Sequence, residues 1–230
     1  MEVLEPHLAY LEIDLMIALP GLLSCLVPFL RRTRDFGSLG ISIALTALLF
    51  IAWDELAVAW GTWAFNGQWV LSFRVGDLPI EEVLFFVVVP FSSLLFYDLL
   101  KGRLRGKFNI SRRWIVLSAI VELILALVWR DHSYTWVVLV YLASGTLLSL
   151  WLDPNLLRLQ SFWGFVGLTY IPFLVFDYLL TSIPIVIYGR GATLGIRVTT
   201  IPVEDFIYSM AMFIFYAMFY RAVHVRRIKR

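Results

Sequence analysis

Hydrophobic and polar residues alternate along this chain in long blocks rather than at short period. Apolar runs cover about residues 10–30, 37–60, 79–100, 112–129, 133–151, 161–187 and 201–222. Each is read as a helix crossing the hydrocarbon core of a bilayer, which takes about 20 mostly apolar residues. The sixth run is the longest, and Pro172 and Pro184 are expected to kink or end it. Pro79 and Pro202 open the third and seventh runs, suiting the first turn of a helix, where a missing N–H costs little. The pattern predicts an all-α integral membrane protein of seven transmembrane helices.

A second pattern lies over the first. A shift of 123 residues (201 − 78) carries Leu78-Pro79-Ile80-Glu81-Glu82 onto Ile201-Pro202-Val203-Glu204-Asp205. The same shift carries Asp54 onto Asp177, Arg74 onto Arg197 and Phe96-Tyr97 onto Phe219-Tyr220. Between 46–100 and 169–223, 11 of 55 positions are identical. That ratio is weak among Leu/Phe-rich helices, so the weight rests on the register of the polar residues. A duplication predicts a first repeat at 1–107 (spans 1–3), a linker helix at 108–130 (span 4) and a second repeat at 131–230 (spans 5–7). Three spans reverse the side of the chain and span 4 restores it. The two repeats are therefore expected to be parallel, related by an axis along the membrane normal.

Charge then sets orientation. Fifteen Lys and Arg follow spans 1, 3, 5 and 7, against four (Arg74, Arg130, Arg190, Arg197) on the other side. The positive-inside rule places the N-terminus outside and the C-terminus in the cytoplasm of a multi-pass cell-membrane protein. Composition agrees: 60% of the 230 residues are hydrophobic and 16% charged, where a soluble domain has about 25% charged. A mean hydropathy of +0.82 points the same way. A net charge of +2 does not suggest nucleic acid as a partner; membrane lipids are the expected surroundings. The single Cys25 leaves no internal disulfide or cysteine metal cluster, and His7, His132 and His224 all sit near run ends, so no metal site is expected. The acidic start (Glu2, Glu5, Glu12, Asp14) gives no sign of a cleavable leader.

Candidate chemistry rests on six carboxylates. Glu81, Glu82, Glu204 and Asp205 fall in the first turns of spans 3 and 7, where interfacial acids gain about 0.3–1 kcal/mol from the helix dipole. Helix rise puts Asp54, about 26 Å from Gly37, and Asp177, about 23 Å from Phe162, at the same depth. Intramembrane acids are expensive and usually face a cavity or a partner, so strict duplication favours a functional cluster. Such a cluster retains protons, because like charges and desolvation both oppose ionisation. Arg74 and Arg197 are supporting candidates that pull the other way, with an interfacial role equally open. The surrounding aromatics (among them Trp53, Trp63, Phe65, Phe85, Tyr188 and Tyr208) serve an interface belt or line an apolar slot able to stabilise a cation. Gly189-Arg190-Gly191 through Gly195 is read as a turn, since no strand–turn–helix unit surrounds it. Span 7 has no lysine for a retinal-type Schiff base, and Glu122 is a lone acid in span 4.

Pro79-Ile80-Glu81-Glu82 and Pro202-Val203-Glu204-Asp205, with the upstream pairs Trp53-Asp54 and Phe176-Asp177, resemble the flavin-independent lycopene β-cyclases. The likeness covers essentially the whole chain, with Asp205 in place of a second glutamate as its one variation. It implies a fused form of a two-subunit enzyme, with span 4 as the fusion linker. It implies an isomerase that protonates each acyclic end group of lycopene taken from the bilayer, closes a ring on the resulting cation and releases a proton, giving γ-carotene and then β-carotene. It also implies independence from flavin and nicotinamide, no other cofactor, and contact with other carotenoid-pathway enzymes. Roles among Glu81, Glu82, Glu204, Asp205, Asp54 and Asp177 stay undivided. Two other readings compete: a proton-coupled transporter, and another carotenoid or polyprenyl-modifying membrane enzyme, although no D-D-x-x-D motif is present.

Overall fold

The computed structural model describes residues 6–228. Glu2, Glu5, Lys229 and Arg230, counted above, lie outside the described residues. The chain is mainly helical: α1 (Ala9–Leu26), α2 (Pro28–Thr33), α3 (Phe36–Ala59), α4 (Ile80–Leu100), α5 (Arg112–Val128), α6 (Ser133–Leu152), α7 (Gln160–Ser182) and α8 (Val203–Ile228). Six helical stretches among the described residues are long and apolar enough to cross a bilayer: Pro6–Leu26, Phe36–Ala59, Ile80–Leu100, Ser133–Leu152, Gln160–Ser182 and Val203–Arg227. The expected fourth span is α5, whose 17 residues fall short of that length.

Boundaries shift for local reasons. The first run ends at Leu26 because Val27 turns to extended backbone, and Pro28 then starts the short α2 in the N1 position that suits it. The sixth run ends at Ser182; Pro172 stays inside α7, and Pro184 lies past its end. Pro79 and Pro202 sit just ahead of α4 and α8, each closing a short strand, instead of in the first helical turn.

Those strands were not visible as periodicity. Three two-stranded antiparallel ribbons form at one end of the bundle: β1 (Trp63–Phe65) with β4 (Val186–Tyr188), β2 (Arg74–Val75) with β3 (Leu78–Pro79), and β5 (Arg197–Val198) with β6 (Ile201–Pro202). The strand starts recur at a spacing of 123 residues, as do the ends of α3 and α7 and the starts of α4 and α8. The β1–β4 ribbon joins the two loops directly, in the register Trp63↔Tyr188, Ala64↔Ile187 and Phe65↔Val186.

Helix packing follows the same pairing. α1 lies along α4 as α6 lies along α8, while α3 crosses to α8 and α7 to α4. α8 is the centre of the bundle, with Ala211 through Ala217 all buried. Outward faces are apolar, as on α1 (Leu15, Leu19, Leu22) and α5 (Ile120, Leu127, Val128). An exposed apolar belt of this extent belongs in lipid rather than water.

The other end is locked by polar contacts. Tyr220 Oη donates to Asp98 Oδ1 at 2.7 Å, and Arg221 Nη1 donates to Tyr97 Oη at 2.5 Å, tying α4 and α8 in both directions. Arg34 and Asp98 form an ion pair at 3.4 Å with both side chains fully buried. Arg34 also donates to Ser24 Oγ and to the Phe91 carbonyl, each at 2.7 Å. Asp35 caps α3 through the Ser38 N–H and contacts His224 at the far end of α8. Removing one partner of a buried ion pair costs about 3–5 kcal/mol, because the other charge is left uncompensated. Arg34→Ala is therefore expected to lower the thermal midpoint in detergent by several degrees. Arg31→Ala, at an exposed position three residues away, should leave it nearly unchanged.

Candidate active site

Below the ribbons, a cavity opens among α1, α3, α4, α6, α7 and α8. Its wall is mainly apolar, with Ile17, Phe85, Val89, Phe173, Phe176 and Met212 among the lining residues. It offers about 160 Å³ to the centre of a water-sized sphere. One water needs about 10–15 Å³ on that measure, so the space takes a segment of organic molecule.

Four carboxyls line this wall: Asp54, Glu82, Asp177 and Asp205. They form two pairs. Asp54 of α3 neighbours Glu82 of α4, and Asp177 of α7 neighbours Asp205 of α8. One proton shared between two adjacent carboxyls lets one act as acid while the other is a carboxylate. Low dielectric favours the same arrangement, since two adjacent charges there repel strongly. All four acids are cavity neighbours because Asp54 and Asp177 lie near the ends of their helices, whereas Glu82 and Asp205 lie at the starts of theirs.

Phenols complete the pairs. Tyr10 Oη donates to Glu82 Oε2 at 2.6 Å, and Tyr208 Oη donates to Asp54 Oδ1 at 2.9 Å. In the second pair Tyr134 and Tyr188 both donate to Asp205, at 2.6 Å each, one to Oδ1 and one to Oδ2. Tyr188 sits on β4, and burial, with Asp205 close by, pushes its phenol well above the ordinary value. It therefore remains a hydrogen-bond donor throughout the physiological range.

Glu81 and Glu204 are fully buried but do not line the cavity. Each turns to the loop that precedes its hairpin: the Leu71 N–H donates to Glu81 Oε1 at 2.6 Å, and the Leu194 N–H to Glu204 Oε1 at 2.7 Å. Thr135 Oγ1 adds a second bond to Glu204 Oε1, at 2.7 Å. The Gly189–Gly195 stretch thus serves as loop backbone anchored by Glu204. Arg74 and Arg197 are exposed at the hairpins, where each donates to a carbonyl of its own turn, Asp77 O at 2.7 Å and Thr200 O at 2.5 Å. Neither is brought into the cavity, although the Arg197 guanidinium lies 5.6 Å from the centre of the Tyr188 ring.

Two features escaped the residue pattern. Tyr10 and Tyr134 lie at a spacing of 124, one more than the duplication, so a gapless comparison passes them by. Asp14, on the α1 face that carries Tyr10 and Ile17, is buried, and neither of its oxygens has a hydrogen-bond partner among the described residues. Glu82 and Glu81 lie close enough to act on it, so the first pair has an additional acid beside it. Glu122 on α5 stands apart from the cavity, with one buried oxygen likewise unpartnered.

A membrane-type helical bundle thus surrounds an apolar cavity that carries two pairs of neighbouring carboxyls in its wall. The lycopene cyclase family model matches residues 7–100 and 131–223, and the chain belongs to that family. Among curated proteins it is similar to the bifunctional lycopene cyclase/phytoene synthases of Aspergillus oryzae and Pyrenophora tritici-repentis. The first is 26% identical over 145 residues, covering 59% of this chain and 24% of the relative. The second is 25% identical over 141 residues, covering 54% and 24%. The match to the Podospora anserina enzyme is 29% identical over 92 residues, covering 40% and 16%. The chain thus matches about a quarter or less of the length of these relatives. No solved structure matches.

The anchoring bonds of Glu204 are open to a direct test. Glu204→Ala strands the Thr135 hydroxyl and the Leu194 N–H, at about 1–3 kcal/mol for each buried group left unpaired. It is expected to lower the thermal midpoint clearly, while Glu204→Gln, whose amide oxygen still accepts, keeps most of the stability.

Proposed function

We propose that this chain is a lycopene β-cyclase, converting the two acyclic end groups of lycopene into β-ionone rings by way of monocyclic γ-carotene. The observation that carries this reading is the pairing of carboxyl with carboxyl, twice, in the wall of one apolar cavity. The reaction needs one proton given to a terminal double bond and one removed from the closed ring. No electrons are gained or lost, so the chemistry is an isomerisation that these acids can conduct unaided. Protonation creates a tertiary carbocation; the neighbouring double bond attacks it, forming the ring C–C bond and moving the positive charge into the ring. Loss of a ring proton then forms the new double bond. Negative charge fixed beside the cavity stabilises both cations, and ring faces such as Phe85 and Phe173 add cation–π attraction.

On this reading Asp54, Glu82, Asp177 and Asp205 are the catalytic acids. Glu81 and Glu204 hold the hairpins that seat them, and Arg74 and Arg197 steady the hairpin turns. The organisation we infer is a seven-span chain in which α5, about 26 Å long by helix rise, also crosses the membrane. Residues 1–107 and 131–230 form parallel repeats, with 108–130 as the linker. Recurrence of element boundaries at a spacing of 123 supports this, as does the family match to two segments that leaves out the intervening helix. The charge asymmetry places the N-terminus outside and the C-terminus in the cytoplasm of a cell-membrane protein. Lycopene enters from the bilayer, where neighbouring carotenoid-pathway enzymes leave it.

Expression in lycopene-accumulating bacteria tests the proposal. Pigment extracts are expected to turn from red lycopene to orange-yellow β-carotene. Asp205→Asn should lower conversion by about 10²–10⁴-fold, the usual weight of a positioned acid or base, with the protein still abundant in membranes. Unchanged lycopene beside well-inserted wild-type protein would overturn the assignment.

A further inference from the structure

The two carboxyl pairs occupy matching places but are not chemically alike. The shift of 123 that superimposes the acids carries Phe65 onto Tyr188 and Phe85 onto Tyr208. Both phenols that replace these phenylalanines bond to acids, Tyr188 to Asp205 and Tyr208 across the cavity to Asp54. The first pair therefore receives one phenol on each acid, whereas the second receives two on Asp205 and none on Asp177.

Resting on the cyclase reading, we propose that Asp177 is the acid that protonates the substrate, and that Tyr188 is the positioning residue that commits the neighbouring charge to Asp205. The argument is one of proton placement. A carboxylate accepts hydrogen bonds on both oxygens, and Asp205 accepts a phenol on each, so the negative charge of its pair settles there. The shared proton must then reside on Asp177. No side chain among the described residues donates to the Asp177 carboxyl, the Thr181 hydroxyl bonding only its backbone carbonyl, so nothing competes with substrate there. Evenly bonded Asp54 and Glu82 have no such bias, and they supply a counter-charge across the cavity.

The step balances within one pair. The Asp177 O–H bond breaks as a C–H bond forms at the terminal alkene carbon, and the cationic centre closes the ring. Two adjacent carboxylates then stand at Asp177 and Asp205. Their mutual repulsion raises their proton affinity above that of the half-protonated pair opposite. The ring proton therefore returns to Asp177, leaving its electron pair as the new double bond, and the site is reset without an external donor.

The test compares conversion of lycopene by purified protein in lipid vesicles. Asp177→Asn is expected to lose at least about 100-fold, with Asp177→Glu restoring part of the rate, while Asp54→Asn retains at least ten times the rate of Asp177→Asn. Tyr188→Phe should slow turnover by about tenfold and move the alkaline limb of the pH profile upward. With charge on Asp205 less well stabilised, Asp177 becomes a weaker acid that holds its proton to higher pH. A structural defect would lower the rate without displacing the limb. The proposal fails if wild-type protein cyclises lycopene but Asp54→Asn is as inactive as Asp177→Asn, or if Tyr188→Phe leaves the limb in place. Absence of cyclisation by the wild type would instead sink the cyclase reading itself. Should Asp177→Asn not fold, the Tyr188→Phe profile decides alone.

Discussion

Carboxyl groups in a hydrocarbon-like interior are the constraint around which this bundle is built. An unpaired charge there is prohibitive, and even a neutral polar group without a partner costs several kcal/mol. Around the cavity the chain offsets that cost with a neighbouring carboxyl, phenols reaching in from neighbouring helices and a ribbon, a threonine hydroxyl, and backbone N–H groups of the loops. Asp205 uses the first two and Glu204 the last two, although they are adjacent in sequence. Successive positions in a helix point about 100° apart, so one acid faces the cavity while the next faces the loop. The doubled acid of each motif is thus a division of labour imposed by helical geometry.

Holding two such pairs at one cavity requires the two halves of the bundle to be fixed to each other at both ends. At one end the β1–β4 ribbon joins equivalent loops through backbone hydrogen bonds, and it also delivers Tyr188 to its acid. At the other, Tyr97, Asp98, Tyr220 and Arg221 interlock α4 with α8, and the buried Arg34 ties in the segment between α1 and α3. The exchange at this end is not symmetrical: the shift that maps Tyr97 onto Tyr220 maps Asp98 onto Arg221. Opposite charges at matching positions let the phenol of each half meet a charged partner in the other.

The helical class, six long apolar helices and four of the acids that share the cavity were legible in the sequence, because block hydrophobicity and a fixed register of rare polar residues survive in a one-dimensional record. The short ribbons were not. Two- and three-residue strands have no period to detect, and their existence depends on loops brought together by the packing beneath them. The split between Glu81 and Glu82 was hidden for a related reason, since adjacent residues share every sequence property except direction. Tyr10 and Tyr134 were lost to a one-residue offset, and Asp14 to its place in what read as an acidic N-terminal stretch. Arg74 and Arg197 kept the register of the acids yet ended on hairpin turns, so a shared register marks structure as readily as chemistry.

On the cyclase reading, the arrangement also answers a problem that carbocations pose for any protein. A free carboxylate next to such a cation would bond to it, and a water molecule would trap it as an alcohol. Apolar walls keep water scarce, while each phenol on a carboxylate oxygen withdraws electron density and occupies the lone pair that would attack. Asp205, with both oxygens engaged, stabilises positive charge through space and is a poor nucleophile. On the cyclase reading, the tyrosines around the cavity therefore do more than place a proton. They let negative charge sit close enough to lower the barrier and keep it too well bonded to end the reaction early.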